Sequence, residues 1–327
     1  MTRKLILLVV VAWLMPILAA CQAPAAPSTT PTAEATKRLR VVATTTIVGD
    51  VVRRIGGDAI ELSVLVPIGA DAHAYEASPQ DVARVAEADL IFAVGAGLEH
   101  HFMGPILEQT GKREAIRRLA DGIPLLPFVG REEEHAHEHE HEHGKGEGHH
   151  HHDVDPHLWM DPINVITWTH TIETALSQAD PAHADLYRRN GEAYRAELRE
   201  LDRWIREQVA QIPPQNRKLV TDHQVFGYFA QRYGFEQVGT IIPGVSTAAE
   251  PSAKDIAALQ ETIRAQGVKA IFISSTISPA VAERVAKDLG IPLVRLYMET
   301  LSAPGGEADS YVKMMRYNVQ AIVQALR

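Results

Sequence analysis

Residues 181–212 read PAHADLYRRNGEAYRAELRELDRWIREQVAQI, and their apolar side chains recur at the spacing of one helix face. These apolar side chains are Leu186, Tyr194, Leu198, Leu201, Ile205 and Val209. The spacing predicts a single helix of about 30 residues, about 45 Å long at a rise of about 1.5 Å per residue. A helix of this length joins two domains stiffly, so we expect one domain on each side of it.

The chain alternates strands and helices on both sides of this segment. Strands are predicted at residues 39–43, 61–66, 90–94, 218–221, 270–274 and 292–296. Helices are predicted at residues 47–55, 78–88, 252–267, 279–289 and 311–326, and another begins near Val225. Alternation of this kind is typical of α/β proteins. The sequence therefore predicts two Rossmann-like α/β lobes with mainly parallel sheets, joined by one long rigid helix.

The N terminus predicts export. Arg3 and Lys4 precede a short apolar run at residues 5–20, which is typical of an export signal rather than of a spanning helix. Cys21, the only cysteine of the chain, follows at the small-residue cleavage point and has no partner for an internal disulfide. Residues 22–37 are rich in Ala, Pro, Thr and Ser, which predicts a flexible tether. An ordinary signal peptide followed by a chance cysteine is the alternative.

The predicted organisation follows from these segments. It comprises a signal peptide at 1–20, a tether at 21–38, an N-terminal lobe at 39–180, the linking helix at 181–212 and a C-terminal lobe at 213–327. The N-terminal lobe includes a His-rich loop at 131–153. The net charge of -9 and the lack of a basic stripe argue against nucleic acid as a partner.

Residues 135–152, HAHEHEHEHGKGEGHHHH, hold nine of the chain's 16 histidines. These are His135, His137, His139, His141, His143, His149, His150, His151 and His152. Alternating His and Glu cannot bury apolar surface, so the segment predicts a mobile loop. Imidazole and carboxylate both attract divalent cations, so we expect weak, auxiliary metal binding there. A purification tag and a merely solvated acidic insertion are the alternatives, and the mid-chain position argues against a tag.

The same loop matches the zinc-protease pattern H-E-x-x-H at residues 137–141 and 139–143. That pattern indicates a protease only on a helix with an apolar face. The flanks here are further His and Glu, so the matches follow from composition.

Four loops that lead from strands into helices, where α/β proteins bind ligands, carry a possible metal ligand. The four candidates are His73 in GADAHAYE, His157 in DPHLWMDP, His223 in TDHQ and Asp309 in GGEADSY. Each is a weak signal alone, since a single loop histidine is more often a surface residue and Asp309 could cap its helix. Nearby acids could orient the imidazoles or simply form turns, namely Asp71, Glu76, Asp155, Asp161 and Asp222.

Together, five motifs resemble the metal-binding solute receptors of bacterial zinc/manganese ABC importers. The motifs are GADAHAYEASPQD, DPHLWMDP, TDHQVFGYFAQRYGF, GVSTAAEPSAKDI and ADSYVKMMRYNV, and the resemblance covers the chain beyond the tether. It implies two α/β lobes with a metal ion in the cleft between them, bound by His73, His157, His223 and Asp309. Ala72 and Ala77 replace prolines that are common in the first motif of the family.

The resemblance also implies a cellular setting. The quartet Leu18-Ala19-Ala20-Cys21 resembles a bacterial lipobox, which implies cleavage before Cys21 and lipidation of that residue. The mature protein is then a monomer anchored at the outer face of the cytoplasmic membrane, periplasmic or at the cell surface. It delivers metal to a membrane permease that is driven by a separate ATPase, since the chain has no Gly-Lys-Ser/Thr phosphate loop.

Three imidazoles and one carboxylate favour Zn(II) as the cargo, because Mn(II) prefers oxygen ligands. Manganese-selective relatives tend to have a carboxylate at the position of His223. Mn(II), or both ions, is the alternative cargo.

The sequence therefore predicts a receptor and not an enzyme. The rivals are a secreted zinc metallohydrolase, whose metal would keep a position open for water, and an adhesin.

Overall fold

The computed structural model describes residues 38–128, 154–243, 247 and 249–327. The predicted signal peptide, the tether with Cys21 and the nine histidines of the His-rich loop lie outside these residues. Within the described ranges, no helix combines the length and the apolarity needed to cross a membrane.

The first sheet and its helices form the N-terminal lobe. Its elements are β1 (Leu39–Ala43), α1 (Thr46–Gly56), β2 (Ile60–Val64), α2 (Pro79–Glu87), β3 (Leu90–Ala93), α3 (His100–Thr110) and β4 (Ile116–Arg118). All four strands are parallel and lie in the order β2-β1-β3-β4. The central strand β3 reads LIFA and is buried throughout, as expected for a strand covered by helices on both faces.

Two long helices follow the first sheet. They are α4 (Pro162–Ala179) and α5 (Ala184–Val209), and a single 3₁₀ turn, Pro181–His183, precedes α5. The helix α5 has 26 residues and is therefore about 39 Å long at about 1.5 Å per residue. Its apolar side chains Leu198, Leu201 and Ile205 are fully buried. The predicted linking helix is present, a few residues shorter than expected because its first turn is 3₁₀.

The second sheet and its helices form the C-terminal lobe. Its elements are β5 (Lys218–Thr221), α6 (Gly227–Tyr233), β6 (Glu236–Thr240), α7 (Ala253–Gln266), β7 (Ile271–Ser274), α8 (Ala280–Leu289) and β8 (Leu293–Leu296), and α9 (Tyr311–Leu326) ends the chain. These strands are also parallel, in the order β6-β5-β7-β8. The two sheets thus share one topology, and the predicted fold class of two α/β lobes joined by a long helix is confirmed.

One hydrophobic core extends through both lobes. It joins side chains of the first sheet, α4, α5, α6 and α9, and a smaller cluster around Ile263 and Ile271 fills the far side of the second sheet. Between the lobes, the indole Nε1–H of Trp159 donates to the carbonyl of Met298 (2.8 Å). The hydroxyl of Tyr311 donates to the carbonyl of Trp159 (2.7 Å). These buried contacts fix the loops at the carboxyl ends of the two sheets against each other.

Candidate metal centre

Four side chains converge where the two lobes meet. His73, His157, His223 and Glu299 each offer one ligand atom, and these atoms all lie within 4.8 Å of one another. Each pair of imidazole rings has its centroids 5.2 to 5.6 Å apart. Such a spacing allows all three rings to face a single ion.

Each of these residues lies in a loop at the carboxyl end of the parallel sheets or beside it. His73 lies in the loop between β2 and α2, His223 follows β5 after one residue, and Glu299 lies three residues after β8. His157 immediately precedes a 3₁₀ turn that leads into α4. Ligands of α/β proteins bind at this edge because the loops there are free to supply side chains. His157, His223 and Glu299 are buried, whereas the side chain of His73 keeps 9% of its surface exposed.

The Nε2 atoms of the three rings surround one carboxylate oxygen. Glu299 Oε1 lies 2.9 Å from His223 Nε2, 3.2 Å from His157 Nε2 and 3.5 Å from His73 Nε2. The Nε2 atoms of His73 and His157 are 3.1 Å apart. The second oxygen of Glu299 is buried and has no hydrogen-bond partner among the described residues. Three nitrogens and one carboxylate thus form a compact set of ligand atoms. The oxygen of Glu299 that has no partner among the described residues indicates that the set could bind a cation.

Carboxylates accept hydrogen bonds from two of the rings at Nδ1, on the side away from Glu299. Asp155 Oδ1 accepts from the main-chain N–H of His157 (2.9 Å) and from its Nδ1–H (2.7 Å). Asp222 Oδ1 does the same for His223, at 2.7 and 2.8 Å. Both rings therefore use Nδ1 for these contacts and present Nε2, the atom that a metal would take, to the centre.

A third acid holds the loop of His73. The main-chain N–H of His73 donates to Asp71 Oδ1 (2.8 Å). The other oxygen of Asp71 accepts from the hydroxyl of Thr247, in the segment between β6 and α7. Asp71 therefore positions the backbone of this loop and not the imidazole.

In the cluster, burial and neighbouring charges shift the pKa values of the side chains in opposite directions. Burial lowers the pKa of His157, but the carboxylates on both sides of its ring outweigh burial and raise that pKa above its ordinary value. Burial also lowers the pKa of His223, but Asp222 and Glu299 outweigh burial and raise that pKa to about 10. Burial alone would raise the pKa of Glu299, but the charge of His73 and the hydrogen bonds of the three rings hold it well below its ordinary value. In the metal-free protein these interactions favour an ionised Glu299 and a protonated His223.

The structure does not bring Asp309 to the three imidazoles. Asp309 Oδ2 accepts from the N–H of Gly305 (2.9 Å), and its Oδ1 pairs with Lys313 Nζ (2.7 Å). Both oxygens of Asp309 are thus occupied by nearby residues at the start of α9, where the neighbouring Ser310 is the N-cap. The expectation that Asp309 is the fourth member of the cluster is therefore corrected, and Glu299 takes that place.

Sequence reasoning missed Glu299, although a signal for it was present. The rule that selects His223, a polar residue just after an apolar strand, also selects Glu299 after β8. Asp309 lies on the same connection, but 13 residues beyond Leu296 and next to a helix. The closeness of a residue to the strand end was the better guide.

Known proteins resemble this chain over most of its length. A family model described as "Zinc-uptake complex component A periplasmic" matches residues 41–325. The metal ABC transporter substrate-binding lipoprotein ScbA of Streptococcus cristatus is 30% identical over 295 residues, which are 88% of this chain and 89% of that protein. The manganese ABC transporter substrate-binding lipoprotein PsaA of Streptococcus mitis is 31% identical over 296 residues, 89% of this chain and 90% of that one.

Among solved structures, the periplasmic zinc binding protein TroA of Treponema pallidum is similar in fold. It superposes with a TM-score of 0.76 at 28% identity and covers 89% of this chain and 99% of its own. The likeness thus extends over both lobes and the helix between them.

Proposed function

Since the chain belongs to the family of the periplasmic zinc-uptake complex component A, we propose that it captures Zn(II) outside the cytoplasm and delivers it to an ABC importer. Proteins of this family are solute-binding receptors and not enzymes. The ion is cargo, held by His73, His157, His223 and Glu299 until the receptor meets its permease.

The donor set is the observation that carries this proposal. Zn(II) accepts nitrogen-rich, four-coordinate sites, and its intrinsic affinity exceeds that of Mn(II) for the same ligands. Three Nε2 atoms converge here on a single carboxylate. Asp155 and Asp222 favour such binding because they accept from Nδ1 of His157 and His223, which leaves Nε2 of both rings facing the centre.

Mn(II), alone or together with Zn(II), is the second candidate. The relative from Streptococcus mitis is named for manganese, and the solved structure from Treponema pallidum is named for zinc. The family thus includes names for both ions, and the choice between them rests on the ligands of this chain. Mn(II) favours oxygen, and only Glu299 supplies it.

The setting of the receptor is also part of the proposal. Cys21 anchors the mature, monomeric protein by lipid at the outer face of the bacterial cytoplasmic membrane. The relatives named lipoproteins support this placement. The partners are the membrane permease and its separate ATPase. The nine histidines between His135 and His152 bind further Zn(II) weakly.

Titration of the metal-free mature protein with Zn(II) and Mn(II) tests the cargo and the ligands together. We expect one tight equivalent that prefers Zn(II). Glu299→Ala should weaken this equivalent by at least about 100-fold, since even residues that only orient a ligand cost about 10–100-fold when lost. Asp309→Ala, on the same loop, is the matched control and should retain the wild-type Kd for Zn(II).

Two results would contradict the proposal. Tighter binding of Mn(II) than of Zn(II) would overturn the cargo. Loss of the tight equivalent in Asp309→Ala but not in Glu299→Ala would overturn the ligand assignment.

A further inference from the structure

We infer that Tyr228 is a positioning residue for the metal centre: its hydroxyl holds Asp155 in place behind His157 and so couples that ligand to the helix that follows His223. The inference rests on the proposed function, because it concerns the orientation of a proposed metal ligand. Tyr228 itself contacts none of the four clustered side chains through a hydrogen bond in the described structure.

A closed ring of three hydrogen bonds surrounds the backbone of Asp155. The hydroxyl of Tyr228 donates to the carbonyl of Asp155 (3.0 Å) and accepts from the N–H of Leu126 (3.1 Å). The N–H of Asp155 donates to the carbonyl of Leu126 (2.8 Å). Asp155 and Tyr228 are both buried, so water cannot replace these bonds at low cost. The hydroxyl thus fixes the peptide from which the Asp155 carboxylate projects.

The carboxylate has little freedom once its backbone is fixed. Asp155 Oδ1 is occupied by two donors of His157, and Oδ2 is buried without a hydrogen-bond partner among the described residues. A Cβ built on Gly227 would lie 2.3 Å from Oδ2, so α6 approaches this oxygen as closely as a glycine permits. Asp155 is therefore held between α6 and the imidazole that it orients.

This arrangement links the ligand loop that precedes α5 to the helix α6 that follows it. Asp155 and His157 precede α5 in the chain, whereas Tyr228 lies on α6, five residues after His223. Any separation of α6 from Asp155 would break the ring of hydrogen bonds and free the carboxylate behind His157. Contact between α6 and Asp155 is thus part of what orients Nε2 of His157.

Tyr228→Phe tests the inference, because it keeps the aromatic ring and removes only the hydroxyl. Tyr233→Phe is the matched control: Tyr233 lies on the same helix, is equally buried, and donates its hydroxyl to Asp202 Oδ1 (2.9 Å) instead. The measurements are the Kd for Zn(II) by chelator competition, the absorption spectrum of the Co(II)-substituted protein, and the Tm of the metal-free form.

We expect Tyr228→Phe to weaken Zn(II) binding by about tenfold, at the lower end of the effect of residues that orient metal ligands. Its Co(II) spectrum should change, because the geometry at His157 is relaxed. Tyr233→Phe should lower the Tm as much as Tyr228→Phe but leave the Kd and the spectrum at wild-type values.

A wild-type Kd and spectrum in Tyr228→Phe would overturn the inference, as would equal weakening by both variants. His157→Ala separates this from a failure of the proposed function. If the wild-type protein binds no Zn(II), or if His157→Ala binds it as tightly as wild type, the proposed function fails and the inference with it.

Discussion

At the scale of single residues, His157 and His223 each lie between two carboxylates. An acid accepts from Nδ1 of each ring, and Glu299 lies against Nε2. In the metal-free protein this surplus of negative charge favours protonated imidazole. A metal ion that takes the Nε2 position must therefore displace protons, and its affinity depends on pH.

We expect Zn(II) binding at pH 7 to release at least one proton, because the pKa of His223 is raised to about 10 in the metal-free state. Affinity should rise with pH across the neutral range, by about tenfold per pH unit for each proton released. His157, whose pKa is also raised, should strengthen the same dependence on pH. Calorimetry in buffers of different ionisation enthalpy measures the number of protons released. A value of zero at pH 7 would contradict a role for His223 Nε2 as a ligand.

Three of the four clustered side chains were predictable from sequence, because each histidine is a polar residue in a loop that leads from one element to the next. Glu299 was not, since the connection between β8 and α9 holds three carboxylates, and local sequence does not say which one turns inward. Tertiary contacts decide which of the three carboxylates faces the cluster. The backbone around Glu299 is held by Trp159 at Met298 and by Asn318 at Tyr297.

At the scale of elements, α5 joins the two lobes by packing and not only by its length. Asn190 donates to the carbonyl of Ile55 at the end of α1 (2.9 Å). Further along, the guanidinium of Arg316 on α9 lies 4.6 Å from the ring centroid of Trp204. Between these contacts, Leu198 is fully buried in the main core. The helix is therefore part of the core that both lobes share.

Leu198→Ala should lower the free energy of unfolding by about 2–5 kcal/mol, because it leaves a cavity in a core that cannot fully collapse. Arg199→Ala, at the exposed neighbouring position, should change it by less than about 0.5 kcal/mol. Chemical denaturation of the metal-free protein gives both values. Equal stability of the two variants would show that the helix is not packed as described.

The sequence predicted the central strands closely but missed two of the four edge strands. β1 and β5 have the predicted bounds, because a buried parallel strand is a continuous apolar run. The strands β4 (IRR) and β6 (EQVGT) were not predicted, since edge strands carry polar residues. The helix α3 contains Pro105, and α4 is rich in β-branched residues and apolar on several sides. An internal proline and β-branched residues both lower helix propensity, so local patterns did not indicate either helix.

At the scale of the whole molecule, the chain holds two predicted classes of metal-binding residues. The clustered residues are preorganised by two folded lobes. The described residues that flank the His-rich segment at 131–153 include Pro127 and Val154, which pair in an antiparallel bridge three residues before His157. Fixing a ligand geometry within such a segment costs about 1–2 kcal/mol of backbone entropy per residue. We therefore expect one tight and several weak equivalents of Zn(II).

Deletion of residues 132–152 should remove the weak equivalents and leave the tight one, because the bridge and the described loops do not include those residues. His73→Ala should do the reverse. Equilibrium dialysis over a wide range of Zn(II) concentrations counts both classes, and uptake by cells should suffer from the deletion mainly when zinc is scarce. Loss of the tight equivalent on deletion would place a histidine of the segment in the centre.

The unequal burial of the four clustered side chains has a kinetic consequence. Among the described residues of the cluster, His73 alone keeps a side chain in touch with solvent. We therefore expect an ion bound by the four side chains to reach solvent only when the connection between β2 and α2 moves. We expect the residence time of the ion to depend on that motion, which takes about microseconds to seconds for such loops. We expect the proposed permease to promote release by displacing this one loop, because that movement removes His73 from the ion and opens the cluster to solvent.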